Sequence, residues 1–555
     1  MSESSTTETA VEGVKRESRH LRGSLLDELG TSKANVSGDA EQLLKFHGIY
    51  AQDDRDTRRA RSVAKEELDY SFMIRVAIPG GRISPSQWLA LDTVAGELAD
   101  DTLRLTTRQA VQFHGVAKTS LQDLARSLHA NLMTSFGACG DVVRNVVACP
   151  GLQTETADGP LTKTVDRIAS AFKPSTRAHF EVFVDGKLAA SAEPSDEHAF
   201  YGDTYLPRKF KIAIANPGDN CVDVFAQDLG LIPGVHPELG EGFTVLVGGG
   251  LGRAYANPNT FARLADPLCF VAESDVEDLI AAVVTAYRDL GDRSDRKRAR
   301  LKYVLADEGL EAFATEVTAR FGRPLVAPLP VLPDIGADDH LGWRTLPDGS
   351  RQLGLRVGAG RVKDDDRTRL RSALREIASR FDLTFYVTPQ QDILLSHLSP
   401  ADVDAVTSIL VDHGVRFVEE LGSVERSALA CPALPTCSQA LAESERRLPD
   451  LVEGLEGALD AVGVGGRRLQ LRVTGCPNGC ARPAVAEVGV VGRTKTGYDL
   501  FLGGGPSGNR LATLHAEKVP FDKITEVITP LLERWRDEGE VDESFGDFYT
   551  RAISS

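Results

Sequence analysis

Arg75-Val76-Ala77-Ile78-Pro79-Gly80-Gly81-Arg82-Ile83 has a counterpart past mid-chain, Arg356-Val357-Gly358-Ala359-Gly360-Arg361-Val362. Outward from each copy the order repeats. A helix-like stretch follows, 84–99 in the first half and 367–381 in the second. Next comes a strand-like one, Leu103-Arg104-Leu105-Thr106-Thr107-Arg108-Gln109 against Phe385-Tyr386-Val387-Thr388-Pro389-Gln390-Gln391. Each half then carries Arg-x-x-x-Ala-Cys-Pro, from Arg144 to Cys149-Pro150 and from Arg426 to Cys431-Pro432, both 282 positions apart. Cys221 to Gly230 parallels Cys480 to Gly489, and Val247-Gly248-Gly249-Gly250 parallels Leu502-Gly503-Gly504-Gly505. Repeated similarities in one order, at slowly drifting offsets, predict an internal duplication whose period is far too long for a solenoid. The expected fold class is α+β: two copies of one module around a pseudo-twofold axis, with a site between them.

The chain has 555 residues, enough for three or four domains of ~150 residues. Four prolines, Pro324, Pro328, Pro330 and Pro333, cannot sit in a helix or central strand and mark a linker at 322–342. Residues 1–40 are rich in Ser, Thr, Glu and Gly without sustained periodicity, and are expected to form a flexible lead.

Acidic residues outnumber basic ones, 80 to 63, for a net charge of −17. That balance argues against a general nucleic-acid binder, which needs a basic footprint. No apolar run approaches the ~18 residues of a membrane span, and the polar start MSESSTTETAVEG is neither a secretory signal nor an Arg-rich transit peptide. A cytoplasmic protein with no membrane partner is expected. Its eight cysteines are then thiols or metal ligands rather than disulfides.

Cys431-x5-Cys437 and Cys476-x3-Cys480 concentrate four cysteines in the second half alone. Thiolates suit zinc or iron–sulfur clusters. An x5 spacing is poor for a zinc knuckle and acceptable for a cuboidal cluster, whose irons lie apart and take one thiolate each. Gly475, Gly479, Pro432, Pro435 and Pro477 let the backbone turn close to an inorganic core. Four buried free thiols and a zinc site are the alternatives. Cys139, Cys149, Cys221 and Cys269 are isolated in sequence and read as core residues or relics of the duplication.

Cations recur in uncharged contexts. Period-two alternation separates Arg75 from Phe72, Ile74, Val76 and Ile78. Arg104, Thr106, Arg108, Gln112 and His114 make one face of a hairpin-like segment donor-rich. Arg144 lies in an apolar run, and Lys209 and Lys211 share one face of a strand-like segment, Leu206-Pro207-Arg208-Lys209-Phe210-Lys211-Ile212. Buried cations need partners. Local carboxylates would serve for any single one, whereas together they suggest a bound polyanion or small oxyanion. No Walker A, His-Glu-x-x-His or complete Gly-x-Gly-x-x-Gly motif competes, so reducing electrons must come from elsewhere.

Together, the stretch 45–56 (KFHGIYAQDDRD), Arg104 to Gln109, Leu206 to Lys211, the Cys431/Cys437 pair and Thr474-Gly475-Cys476-Pro477-Asn478-Gly479-Cys480 resemble the siroheme-containing assimilatory sulfite reductase hemoprotein family, from about residue 13 to the end. The resemblance implies a [4Fe–4S] cluster on Cys431, Cys437, Cys476 and Cys480, with Cys480 also ligating the siroheme iron. It implies that Arg75, Arg144, Lys209 and Lys211 bind the substrate oxyanion, and that Arg104, Thr106, Arg108, Gln112 and His114 lie about the siroheme. The implied domains are a duplicated ferredoxin-like unit, 73–136 plus 343–418, and two siroheme-binding α/β units, 137–321 and 419–555. The implied reaction is six-electron reduction of sulfite to sulfide, fed by a flavoprotein using NADPH or by ferredoxin. Siroheme nitrite reductase is the alternative. In those enzymes the second lysine of Lys-x-Lys is typically asparagine, so Lys211 favours sulfite. A zinc-bound, non-catalytic scaffold is the reading from a different class.

Overall fold

The structure, a computed structural model, describes residues 8–153, 160–174, 181–184, 187–191, 198–330 and 336–553. Its strands, in chain order, are β1 (Ile49–Asp53), β2 (Tyr70–Val76), β3 (Arg82–Ile83), β4 (Leu103–Leu105), β5 (Val111–Val116), β6 (Val147–Ala148), β7 (Glu181–Val184), β8 (Lys187–Ser191), β9 (Ile212–Ile214), β10 (Leu229–His236), β11 (Gly240–Val247) and β12 (Asp266–Ala272). The second half adds β13 (Gly342–Thr345), β14 (Arg351–Leu355), β15 (Arg361–Val362), β16 (Thr384–Val387), β17 (Ile393–Leu398), β18 (Leu429–Ala430), β19 (Leu471–Thr474), β20 (Val488–Gly492), β21 (Gly497–Leu502) and β22 (Thr513–Pro520). Apart from the β7–β8 ribbon, they form four five-stranded sheets.

Two sheets have the orders β1-β2-β5-β4-β15 and β13-β14-β17-β16-β3. Each half lends a two-residue strand to the other: Arg361 pairs with Arg104, and Ile83 with Phe385. Gln109 and Gln391, both at positive φ and both buried, lock the exchange. The Gln109 amide donates to the Val387 carbonyl at 2.9 Å, and Gln391 donates to Leu105 at 3.4 Å. The helices Pro85–Leu98 and Leu370–Arg380 pack against each other. Ser84 caps the first through a capping box with Gln87, Pro85 supplies a preset φ, and Trp88 stacks on Phe385 at 4.9 Å. Arg371 and Arg375 both reach the buried Asp92 at 2.6 Å.

The other two sheets also correspond. In each, three parallel strands (β6, β9, β10 and β18, β19, β20) lead into an antiparallel pair. Ala213 pairs with Val147 and Gly230, just as Arg472 pairs with Leu429 and Gly489. The loops before β10 and β20 match as well. Asp223 and Arg482 are both left-handed, each opening a single 3-10 turn. Cys149 leaves β6 where Cys431 leaves β18.

The lead departs from expectation. Residues 10–44 hold three helices, Ala10–Glu17, Leu25–Leu29 and Gly38–Leu44, and the first is packed rather than flexible. Glu12 and Lys15 are fully buried. They form a charged knot with Asp141, Arg293 and Arg296, in which Lys15 lies 2.6 Å from Glu12 and Arg296 2.8 Å from Asp141. Polar composition suggested disorder, but here the charges satisfy one another inside the protein. The segment 206–211 also differs: it bends at Pro207 and Arg208, β9 starts only at Ile212, and a lone bridge joins Phe210 to Val143. Phe210 is buried while Lys209 and Lys211 are half-buried, so the alternation survives without the strand.

Candidate functional site

Cys431 sits directly after β18, Cys437 on the loop beyond, and Cys476 and Cys480 on the loop between β19 and β20. The loops are tied together by backbone. Gly475 N–H donates to Cys431 Sγ at 3.3 Å, Leu441 and Ala442 both donate to the Gly475 carbonyl, and Cys437 N–H donates to Ala433, itself at positive φ. A Cβ at Gly475 would lie 2.5 Å from the Ala442 carbonyl, so the turn needs glycine. Arg55 braces the outside, donating to the carbonyls of Cys437 (3.2 Å) and Ser438 (3.0 Å).

The four thiols feel one another. Burial, and then the proximity of Cys480, push the thiols of Cys431 and Cys437 up and that of Cys476 up to about 12. Four thiolates collected here need a multiply charged cationic core. Cys480 is exposed, unlike Cys431 and Cys476.

Cys480 also lies within the field of a second group, the cations. Its charge acts on Arg75 and on Lys209. Arg75 projects from β2, where its Nη1 donates to Cys139 Sγ at 3.1 Å. The Gln112 carbonyl oxygen accepts from Arg75 Nε (3.1 Å) and Nη2 (2.6 Å) in the amide orientation that satisfies both side chains. Burial works against the Cys139 thiolate, but Arg75 and Arg144 override it and bring that thiol below its usual range. Arg144 is oriented by its Nε–H to the Gly140 carbonyl at 2.8 Å.

Lys209 and Lys211 follow on the segment 206–211. Neither ammonium has a hydrogen bond or ion pair among the described residues. Burial, then Arg208, Arg300 and Arg144, bring Lys209 down to about 7. Burial, and then Lys209 itself, hold Lys211 far below the usual lysine range. Asp228, the nearby carboxylate, is engaged by Arg300 at 2.8 Å and by the Lys211 backbone N–H at 2.9 Å. A pair of unmatched cations is the arrangement an anion would relieve.

The predicted siroheme residues divide. Arg104 is fully buried, bound to Glu445 and donating at 2.9 Å to the Ala430 carbonyl, one residue before Cys431. Its charge is matched within the protein. Thr106 accepts from the N–H groups of Arg108 and Ala110 and shapes the β4–β5 turn. Arg108 reaches Gln227 at 2.8 Å and the Asn145 carbonyl at 2.5 Å, while burial and Arg144 bring it down to about 9. Gln112 faces Arg75. His114 is buried with neither ring nitrogen hydrogen-bonded. Burial, Arg361 and Arg104 keep it neutral well below the usual histidine range.

Sequence reading missed several members. Thr107 donates to the Cys480 carbonyl at 3.1 Å. Lys302 donates to the carbonyls of Gly250 (3.0 Å), Gly252 (2.8 Å) and Phe261. Arg472 and Arg482 converge on Asp223 at 2.7 and 3.0 Å. Alternation along strands gave no signal for these, because they arise from contacts between distant loops. Arg472 alone sits in a strand, where its neighbours are Leu471 and Val473.

With this geometry in hand, the comparisons with known proteins are decisive. The nitrite and sulphite reductase 4Fe-4S domain matches residues 139–325 and 422–545, and the nitrite/sulfite reductase ferredoxin-like half domain matches 64–131 and 344–413. The chain belongs to the nitrite and sulfite reductase family. It is 41% identical to the sulfite reductase [ferredoxin] of Synechococcus elongatus, over 98% of this chain and 89% of that one. It is 42% identical to the sulfite reductase [NADPH] hemoprotein beta-component of Myxococcus xanthus, over 98% and 96%. The solved structure of Mycobacterium tuberculosis NirA protein superposes with a TM-score of 0.78 at 25% identity, covering 98% and 96%.

Nitrite and sulfite reductases of this kind carry siroheme and a [4Fe–4S] cluster, and the residues present fit both. Four cysteine thiols on two interlocked loops suit a cuboidal cluster. For a polycarboxylate macrocycle, the buried Arg108 Nε, Arg482 Nη1 and both His114 nitrogens stand without partners.

Proposed function

We propose that this chain reduces sulfite to sulfide as the hemoprotein of an assimilatory sulfite reductase. The observation that carries the reading is the place of Cys480 on the loop between β19 and β20, beside Cys476 and within electrostatic reach of Cys431, Cys437, Arg75 and Lys209. In our reading Cys431, Cys437, Cys476 and Cys480 would hold the cluster, and Cys480 would also be a ligand for the siroheme. When bound, the two groups would supply the electrons for a six-electron reduction.

The chain's own residues do the rest. Arg75, Arg144, Lys209 and Lys211 draw in the oxyanion and neutralise charge that gathers on each departing oxygen. Loss of each oxygen as water consumes two electrons and two protons. Lys209, poised at about 7, can give a proton and recover one near neutral pH. Arg108 and His114 would hold the macrocycle, and Arg104 fixes the strand that presents Cys431. Gln112 and Thr106 set the positions of Arg75 and Arg108. The segments 73–136 plus 343–418, 137–321 and 419–555 are the working domains, with 322–342 as the linker.

Sulfite is favoured over nitrite because Lys211, which burial and Lys209 hold far below the usual lysine range in the empty site, takes up a proton more readily beside a dianion than beside a monoanion. Relatives at similar identity are named for ferredoxin and for NADPH, so either donor suits this chain. No helix among the described residues is long and apolar enough to cross a membrane. Eight free cysteines accord with a reducing compartment, and we place the enzyme in the cytoplasm.

The test begins with the purified protein's visible spectrum and its iron and acid-labile sulfide content. Sulfide release is then followed with reduced ferredoxin and, separately, with NADPH plus the flavoprotein. An isobacteriochlorin spectrum with sulfide formation supports the reading. A colourless zinc protein would overturn it. Cys480→Ser should abolish sulfite reduction, and unchanged turnover in that variant would refute the ligand assignment.

A further inference from the structure

The cysteines that lie apart from the cluster are not scattered in space. Cys149, Asp219, Cys221 and His340 are all buried, and one ligand atom from each lies within 4.8 Å of every other. We propose that these four residues form a second metal centre, a closed tetrahedral zinc site that pins the linker to the first α/β unit. It is independent of the sulfite-reducing site.

The donor set is the first argument. Two thiols, an imidazole and a carboxylate are zinc ligands, and four protein ligands with no open position mark a structural site. At Zn–S of about 2.3 Å and Zn–N or Zn–O of about 2.0–2.2 Å, neighbouring ligand atoms stand well inside 4.8 Å of one another.

The second argument is how the ligand atoms are aimed. Asp219 Oδ1 is occupied, accepting from the backbone N–H groups of Cys221 and Asp338, both at 3.0 Å. That leaves Oδ2, which faces Cys149 Sγ at 3.2 Å and His340 Nε2 at 2.9 Å. His340 Nε2 is in turn 4.0 Å from Cys149 Sγ. The other ring nitrogen of His340 lies 4.0 Å from Asp338 Oδ2, and Arg344 holds that carboxylate at 2.6 and 2.8 Å. At 4.0 Å that carboxylate is not hydrogen-bonded to the ring, but it stands on the side from which an outer-shell carboxylate orients a metal-bound histidine.

The third argument is the duplication. Cys149 occupies the position of Cys431, and Cys221 that of Cys480, on loops of matching register. Position 217, the counterpart of Cys476, is a proline. The first half therefore keeps two of the four thiols, and Asp219 and His340 close the set. The same pair of loops spreads around a cube in one half and converges on a single ion in the other. His340 stands at the end of the linker, two residues before β13, so an ion here would fasten the entry to the second half onto the first. Binding Zn²⁺ would release the protons of the two thiols as they become thiolates.

Holoenzyme purified without chelator or histidine tag should contain about one zinc per chain besides its iron, by elemental mass spectrometry. Zinc-edge X-ray absorption should show two sulfur and two nitrogen or oxygen neighbours. In the C149S/C221S double variant the zinc should go while the siroheme and cluster spectrum stays. Should that variant fail to fold, zinc content and zinc-edge spectrum of the unaltered enzyme decide alone. Zinc below about a tenth per chain after incubation with Zn²⁺ and gel filtration would overturn the proposal. So would a Cys149–Cys221 disulfide in the native protein, or zinc retained at full stoichiometry by the folded double variant.

Discussion

The Thr107 hydroxyl donates to the carbonyl of Cys480 across 3.1 Å, joining the first ferredoxin-like half to the loop that bears the exposed thiol. Its neighbours grip the same turn from inside: Thr106 accepts from Ala110 N–H, and Arg108 reaches back to Gln227. Thr107→Val keeps the shape and removes the donor. One hydrogen bond is worth about 1 kcal/mol, so turnover should fall about fivefold if the bond positions Cys480. Steady-state rates read beside iron and siroheme content check this. Full cofactor content with reduced turnover is expected, whereas equal losses of both would make the bond a folding contact.

The choice of substrate rests on Lys211. Replacing it with asparagine removes the second of two adjacent amines that have no ion pair among the described residues, and leaves Lys209 under the same burial and the same charges of Arg208, Arg300 and Arg144. Sulfite should lose more than nitrite. In Lys211→Asn the ratio of kcat/KM for sulfite to that for nitrite should drop about tenfold, the equivalent of ~1.4 kcal/mol. Equal declines for both anions would show that Lys211 does not discriminate between them.

The lead helix offers a prediction about stability. Glu12 is buried among Lys15, Arg293 and Arg296. Glu12→Ala would leave Arg293 without its carboxylate, and Lys15 and Arg296 sharing Asp141 with Arg208. Breaking a buried ion network in this way costs about 3–5 kcal/mol. The loss should appear first as faster proteolysis near residues 10–24 and as weakened sulfite affinity. The second effect follows because Lys15 Nζ holds the Leu206 carbonyl at 3.1 Å, three residues before Lys209. Protease resistance equal to that of the unaltered chain would mean the knot is dispensable.

Much of this architecture was legible because duplication writes itself twice. Gln109 and Gln391, or Cys149 and Cys431, can be aligned by eye, and the sheets repeat the same offsets in their registers. Alternation exposed Arg75 on β2, since the core face of Phe72, Ile74 and Val76 is unambiguous. What stayed hidden depends on distance in the chain. Thr107 meets Cys480, and His340 meets Cys149, across hundreds of residues, and no local period encodes such a meeting. The packed lead was missed for a related reason. Glu12 and Lys15 look like solvent-facing charges until Asp141, Arg293 and Arg296 are brought around them.

The pH dependence follows from Lys209. Burial first, and the surrounding arginines next, bring it down to about 7, whereas in the unfolded chain it titrates near ~10.4. Between those values the unfolded state holds a proton that the native state lacks. From this group, stability of the substrate-free enzyme therefore rises with pH across that window, and below about 7 the full cost of burying the ammonium is felt. Anion binding runs the other way, because only the protonated form attracts sulfite. KM for sulfite should climb as pH passes upward through about 7. Sulfite's own protonation also changes with pH, so the comparison is with Lys209→Arg, whose guanidinium stays charged. The ratio of the two KM values cancels the substrate's contribution, and should rise about tenfold per pH unit above 7 until binding no longer depends on this charge. A flat ratio from pH 6 to 9 would remove Lys209 from the anion site.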